Sequence, residues 1–171
     1  VIMDAREVKK SIAEDVAVAT EELFKTMVAM DLKHDSSLLA EETYVQTDIS
    51  GFVSFMGKYH GTVGIFCSKK FALKIASGML MEEMTEVNAD VIDTVGEIAN
   101  MVAGNVKTKI TESYGEMELS VPIVMLGNGT EANANENALI SLHTKESWML
   151  TSFCLDDDIF KVGLLLKELA G

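Results

Sequence analysis

The sequence predicts an α+β fold in a single domain spanning residues 1–171: an antiparallel sheet covered by long helices, arranged as two pseudo-repeated helix, strands, helix halves. Three observations carry that expectation. Two long stretches hold apolar residues at the 3.6-residue period of a buried helix face, and short runs rich in β-branched and aromatic residues lie between and after them. The connections among those runs are mostly of hairpin length, which joins neighbouring strands antiparallel. The order of helix, strands and short helix then recurs: Phe66-Cys67 leads to Phe71 and Lys74-Ile75 much as Phe153-Cys154 leads to Ile159 and Lys161-Val162. A chain of 171 residues, 48% hydrophobic and with one proline, is long enough to bury one good core.

Each element has its own signal. From about Ala5 to Met30, Val8, Ile12, Val16, Ala19, Leu23, Met27 and Met30 recur at steps of three and four, predicting one long helix with a buried stripe. Thr43 to Ile49 and Gly51 to Met56 read as extended segments, and "YHGTVGIFC", Tyr59 to Cys67, completes a hairpin after the turn signal at Gly57. Ser68 is placed to cap a second helix, Lys69 to about Met81. A third, long helix runs from about Thr85 to Tyr114, with Gly115 as its stop. Three further strands follow in Leu119 to Leu126, Ala138 to His143 and Trp148 to Leu155, with a loop over Gly127 to Asn137. Asp156 to Asp158 then read as the cap of a closing helix, "IFKVGLLLKEL".

Composition removes several classes of function. With 27 acidic against 14 basic side chains the formal net charge is −13, and such a surface repels nucleic-acid phosphates and anionic lipid head groups. No nucleic acid and no membrane partner is therefore expected. No apolar run approaches the ~20 residues needed to span a bilayer, and the first residues lack a secretory pattern, so the expected location is cytoplasmic. Cys67 and Cys154 form no CxxC pair, and His34, His60 and His143 stand alone, so neither a redox pair nor a metal site is expected.

The informative stretch is "DTVGEIANMVAGNVKTKI", Asp93 to Ile110. At about 100° per residue, Val91, Val95, Ile98, Val102 and Val106 gather on one side of the third helix, which is its core face. Asp93, Glu97, Asn100 and Gly104 share the opposite side, adjacent through spacings of three and four. A Glu on a solvated helix face is ordinary. The longer register is less so: Asp93, three residues, Glu97, two residues, Asn100, 21 residues, then Pro122, the one proline of the chain. Four fixed positions match by chance in a chain this long on the order of once in several hundred. Pro122 itself reads as structural, since proline belongs at an edge or irregularity of a sheet.

This pattern resembles the signature of the CheC/CheX/FliY family of chemotaxis phosphatases, an acidic residue or serine followed by E-x-x-N and a distant proline. "DISGFVSFMGKYHGTVGIFCSKKFALKIASGML" is similar to the family's first hairpin and following helix, and "GEIANMVAGNVKTKI" to its active-site helix. The resemblance implies a CheC-like fold. In the first helix Glu14, Glu21 and Glu22 are followed at the third position by Ala17, Phe24 and Lys25, so no second carboxamide site exists there. A single central site resembles the CheX-type members, which implies a homodimer.

The resemblance further implies a substrate: the aspartyl phosphate of a CheY-type response regulator, lying beside a Mg²⁺ and a lysine that both belong to the regulator. No cofactor bound by this chain is expected. What such a substrate lacks is a water held in line with the bond to be broken. The implied catalytic residues are Asn100, whose neutral carboxamide accepts a hydrogen bond from that water, and Glu97, which docks on the regulator's lysine. Asp93 and Gly104 are expected to flank the docking surface. The rival reading is a non-catalytic regulator-binding or flagellar-switch scaffold of the same fold, which would bind the regulator without hastening its dephosphorylation.

Overall fold

The computed structural model describes residues 5–127 and 138–168. α1 (Ala5–Leu23) passes into a single π turn, Phe24–Val28, closed by Ala29 in the left-handed region. Strands β1 (Lys33–Thr47), β2 (Ile49–Gly57) and β3 (Tyr59–Cys67) follow, then α2 (Lys69–Leu80) and α3 (Ala89–Tyr114). The chain continues with β4 (Met117–Leu119), β5 (Ile123–Leu126), β6 (Ala138–Leu155) and β7 (Asp158–Glu168). The predicted loop residues 128–137 lie outside the described residues, as does the side chain of Val8.

The strands form one antiparallel sheet in the order β1, β6, β7, β3, β2, β4, with β5 also on β2. The three helices contribute to the main core on one face of the sheet. There Val16, Phe24, Ile49, Phe71, Ile98 and Val162 are each at most 1% exposed. Each such side chain contributes roughly 1.5–3 kcal/mol by leaving water. Phe160 knits the π turn to α2: its ring lies 5.0 Å from Phe24 and stacks on Phe71 at 5.3 Å. On the other face Val45, Phe66, Trp148 and Leu150 make a second, small cluster.

The expected α+β class and helix-covered antiparallel sheet are therefore present. The Ser68 cap is too, its Oγ accepting the Phe71 N–H at 3.0 Å. The closing helix is not. "IFKVGLLLKE" is strand β7, held between β3 and β6, so the second half ends in a strand and repeats the first only in part. A strand inside a covered sheet is apolar on both faces, which hides its period of two behind a run of leucines. The alternation shows in the burial of Phe160, Val162 and Leu164 against the helices.

Consequently Asp156 to Asp158 cap no helix. Asp156, with φ 53°, and Asp157 form a tight turn between β6 and β7. Lys74 pairs with Asp156, and Lys70 with Asp158 at 3.2 Å, tying that turn to α2. Three smaller corrections follow, two from strand pairing and one from capping. β1 starts at Lys33 rather than Thr43, because β6 is one long strand, not two, and pairs along its length. The predicted strand Leu119 to Leu126 is broken into β4 and β5 around Pro122, which has no N–H to offer β2. α3 begins at Ala89, four residues after the expected start, because Asn88 supplies the cap.

Candidate functional site

α3 is anchored at both its start and its buried face. Asn88 Oδ1 accepts the Val91 N–H at 3.0 Å, and Asp90 in the first turn complements the positive end of the helix dipole. The predicted core residues Val91, Val95, Ile98, Val102 and Val106 are all at most 1% exposed. Close approach to the sheet is set by Gly51 on β2: a Cβ there would stand 2.9 Å from the Cβ of Ala99 and 3.3 Å from Ile65 Cγ1.

The opposite face carries Asp93, Glu97 and Asn100, all exposed, while Gly104 is half-buried. Among the described residues none of the three polar side chains has a hydrogen bond or ion pair. Glu97 and Asn100 are three residues apart, so their side chains project from neighbouring positions on one surface of a helix whose other surface is locked in the core. That combination presents a carboxylate and a neutral amide on a rigid support.

The glycines of α3 differ. A Cβ at Gly96 would sit 3.4 Å from Val124 and 3.7 Å from the ring of Pro122, so the segment around the proline lies directly over the helix beside Glu97. This gives Pro122 the structural place expected of it. A Cβ at Gly104 would meet nothing within 4 Å. Beyond Gly104 a cleft separates α3 from the end of α1, and Asn100 lines it.

One side chain of that cleft was misplaced by sequence pattern. Met27 fits the α-helical core stripe, yet it is 61% exposed, because the π turn takes in more residues per turn and rotates it outward. No residue type announces a π turn. Among the described residues no group of three or more metal-ligating side chains comes together. The Cys67 thiol is buried, and burial first, then the charge of Asp48, pushes its pKa up to about 12, which keeps it out of nucleophilic chemistry.

Known structures share this architecture. A CheC-like superfamily protein from Shewanella sp. PV-4 superposes with a TM-score of 0.79 at 22% identity, covering 96% of this chain and 99% of its own. The chemotaxis protein CheX from Vibrio vulnificus gives 0.79 at 23% identity over 92% and 99%. The CheX of a CheX–CheY–BeF3–Mg²⁺ complex from Borrelia burgdorferi gives 0.67 at 19% over 96% and 99%. The fold is thus of the CheC-like class. No protein with a curated functional description matches in sequence. The family model for the chemotaxis phosphatase CheX matches residues 49–144, which contain α3 whole together with Pro122. The chain belongs to the CheX family. No described helix is long and apolar enough to cross a membrane.

Proposed function

We propose that this protein is an aspartyl-phosphate phosphatase acting on a CheY-type response regulator in chemotaxis signalling. The observation that carries the reading is the pair Glu97 and Asn100, exposed and without side-chain partners among the described residues, on the buried-backed helix of a CheX family member. The Borrelia relative's complex with CheY, BeF3 and Mg²⁺ supports a regulator as partner and Mg²⁺ as a component of the assembly.

In this reading α3 docks over the regulator's phosphorylation site. Glu97 meets the regulator's lysine in a charge-assisted contact and sets the register of the helix. Asn100 Oδ1 accepts a hydrogen bond from one water and holds it opposite the acyl oxygen. Attack of that water on phosphorus breaks the bond to the aspartyl oxygen, releasing the carboxylate and inorganic phosphate. The neutral amide is required because a carboxylate would bring negative charge against the phosphoryl oxygens. In this scheme no side chain of the protein needs a tuned proton affinity.

The test mixes the protein at substoichiometric amounts with a regulator phosphorylated by a small phosphodonor in Mg²⁺, and follows loss of phosphate. Catalysis predicts faster decay, whereas a scaffold gives binding with unchanged decay. Asn100→Ala is expected to keep most of the binding and lose acceleration on the order of a hundredfold. Glu97→Ala weakens both. Parental turnover in both variants would remove the assignment.

The resemblance to CheX-type members also implies a homodimer. The outermost strand β1 supports one: it is 15 residues long, pairs only with β6 among the described strands, and carries Leu38 and Tyr44, each 59% exposed.

A further inference from the structure

We propose that the cleft between α1 and α3 is the second half of the regulator-binding surface, receiving an apolar side chain that projects from the receiver domain one to two helical turns from its aspartyl phosphate. This rests on the function proposed above and adds to it the contact that selects the regulator. The cleft has a volume of about 630 Å³. Its apolar lining includes Met27 and Met101, and its polar lining includes Glu22, Asn105 and Thr108.

Three observations converge on it. The first is continuity: Asn100 belongs both to the exposed pair and to the wall of the cleft, with Gly104 one turn on, about 6 Å along the axis. A specific protein interface covers roughly 800 Å² on each partner, far more than two side chains, so a receiver seated on Asn100 covers the neighbouring cleft.

The second is Gly104. A glycine inside a helix costs about 1 kcal/mol relative to alanine, and here no neighbour requires it, since a Cβ would meet nothing within 4 Å. Gly51 is explained by the press of Ala99, and Gly96 borders Pro122; Gly104 leaves space that its own chain does not fill. The third is the π turn, which turns Met27 out of the core and into this wall. A flexible, polarisable methionine beside polar groups is suited to an apolar protrusion whose shape varies. With Lys109 as the one lining cation among the described residues and a chain of net charge −13, an anionic occupant is disfavoured.

The experiment uses a receiver that the parent protein dephosphorylates, activated with beryllofluoride and Mg²⁺ for binding and phosphorylated for turnover. Gly104→Leu fills the cleft, and Met27→Asp, at an exposed position that does not threaten folding, puts a charge on its wall. Both are expected to raise Kd and KM about tenfold or more while kcat stays within about twofold, with Gly104→Leu melting no lower than the parent. Adding Met27→Ala to Gly104→Leu returns room and recovers part of the affinity. Parental Kd and KM in Met27→Asp and Gly104→Leu would overturn the cleft while leaving the phosphatase intact. A change of oligomeric state with unchanged receiver affinity would assign the cleft to a second copy and overturn it equally. If the parent accelerates no receiver's dephosphorylation and binds none, the functional reading itself falls, and the cleft's role with it.

Discussion

Asn100 and Cys67 show how differently two polar side chains are used. Asn100 is left in water on a helix that has no structural need of it, whereas Cys67 is sealed at the end of β3, its Sγ 3.7 Å from the Ile49 carbonyl oxygen. Burial raises the Cys67 pKa from 9.0 to about 12. The sign of the consequence is fixed. Below pH 9 folded and unfolded chains both hold the proton, and the full stability is present. Between pH 9 and 12 only the unfolded chain releases it, so stability falls as pH rises, by about 1.4 kcal/mol per pH unit at most. Urea unfolding at pH 8 and pH 10.5 is expected to differ by about 2 kcal/mol more in the parent than in Cys67→Ala. An identical alkaline slope in the two would contradict it. The Tyr114 pKa, raised by burial and by Tyr59, pushes in the same direction from about pH 10 upward, equally in both proteins.

At the scale of elements, α3 carries the proposed site and β2 is its seat. Gly51→Ala would set a methyl 2.9 Å from the Cβ of Ala99, closer than packed carbons come, and α3 must lift to admit it. The expected cost is about 1–3 kcal/mol of stability, with a fall in kcat/KM because the lifted helix carries Asn100. Ala99→Gly on the same background restores the space, offset by about 1 kcal/mol of helix propensity. Urea unfolding and dephosphorylation rates of the single and double variants check this. A double variant no better than the single would mean that Gly51 serves something other than the approach of α3. The β6–β7 turn is a second such joint, with Lys70 and Lys74 of α2 holding its carboxylates and Lys74 keeping Asp156 below the usual carboxylate range.

At the scale of the molecule, the described residues form a seven-stranded sheet with α1, α2 and α3 toward one core and an extended edge at β1. A long edge strand with exposed apolar residues invites pairing with another strand, and a second copy is the partner the family resemblance implies. Sedimentation equilibrium is expected to give twice the 18.6 kDa of one chain. Leu38→Lys, which places charge on β1, should shift the balance toward single subunits. A lone subunit at high protein concentration would retire the dimer.

Periodicity alone determined a good deal about this protein. The long helices, the β2–β3 hairpin, the Ser68 cap and the core side of α3 all follow from local spacing, because an amphipathic element records in its own residues which side is buried. The open face of Glu97 and Asn100 was legible for the same reason, as the complement of that core. The chemistry assigned to it came from a motif. Other features rest on pairing between distant segments. Only the sheet decided that the leucine-rich end is β7, since a strand flanked on both sides by β3 and β6 loses the alternation that would mark it. Only tertiary packing decided that Met27 faces outward and that Gly104 borders an open cleft. Both depend on how a π turn sets α1 against α3, and no single segment encodes the space between two helices.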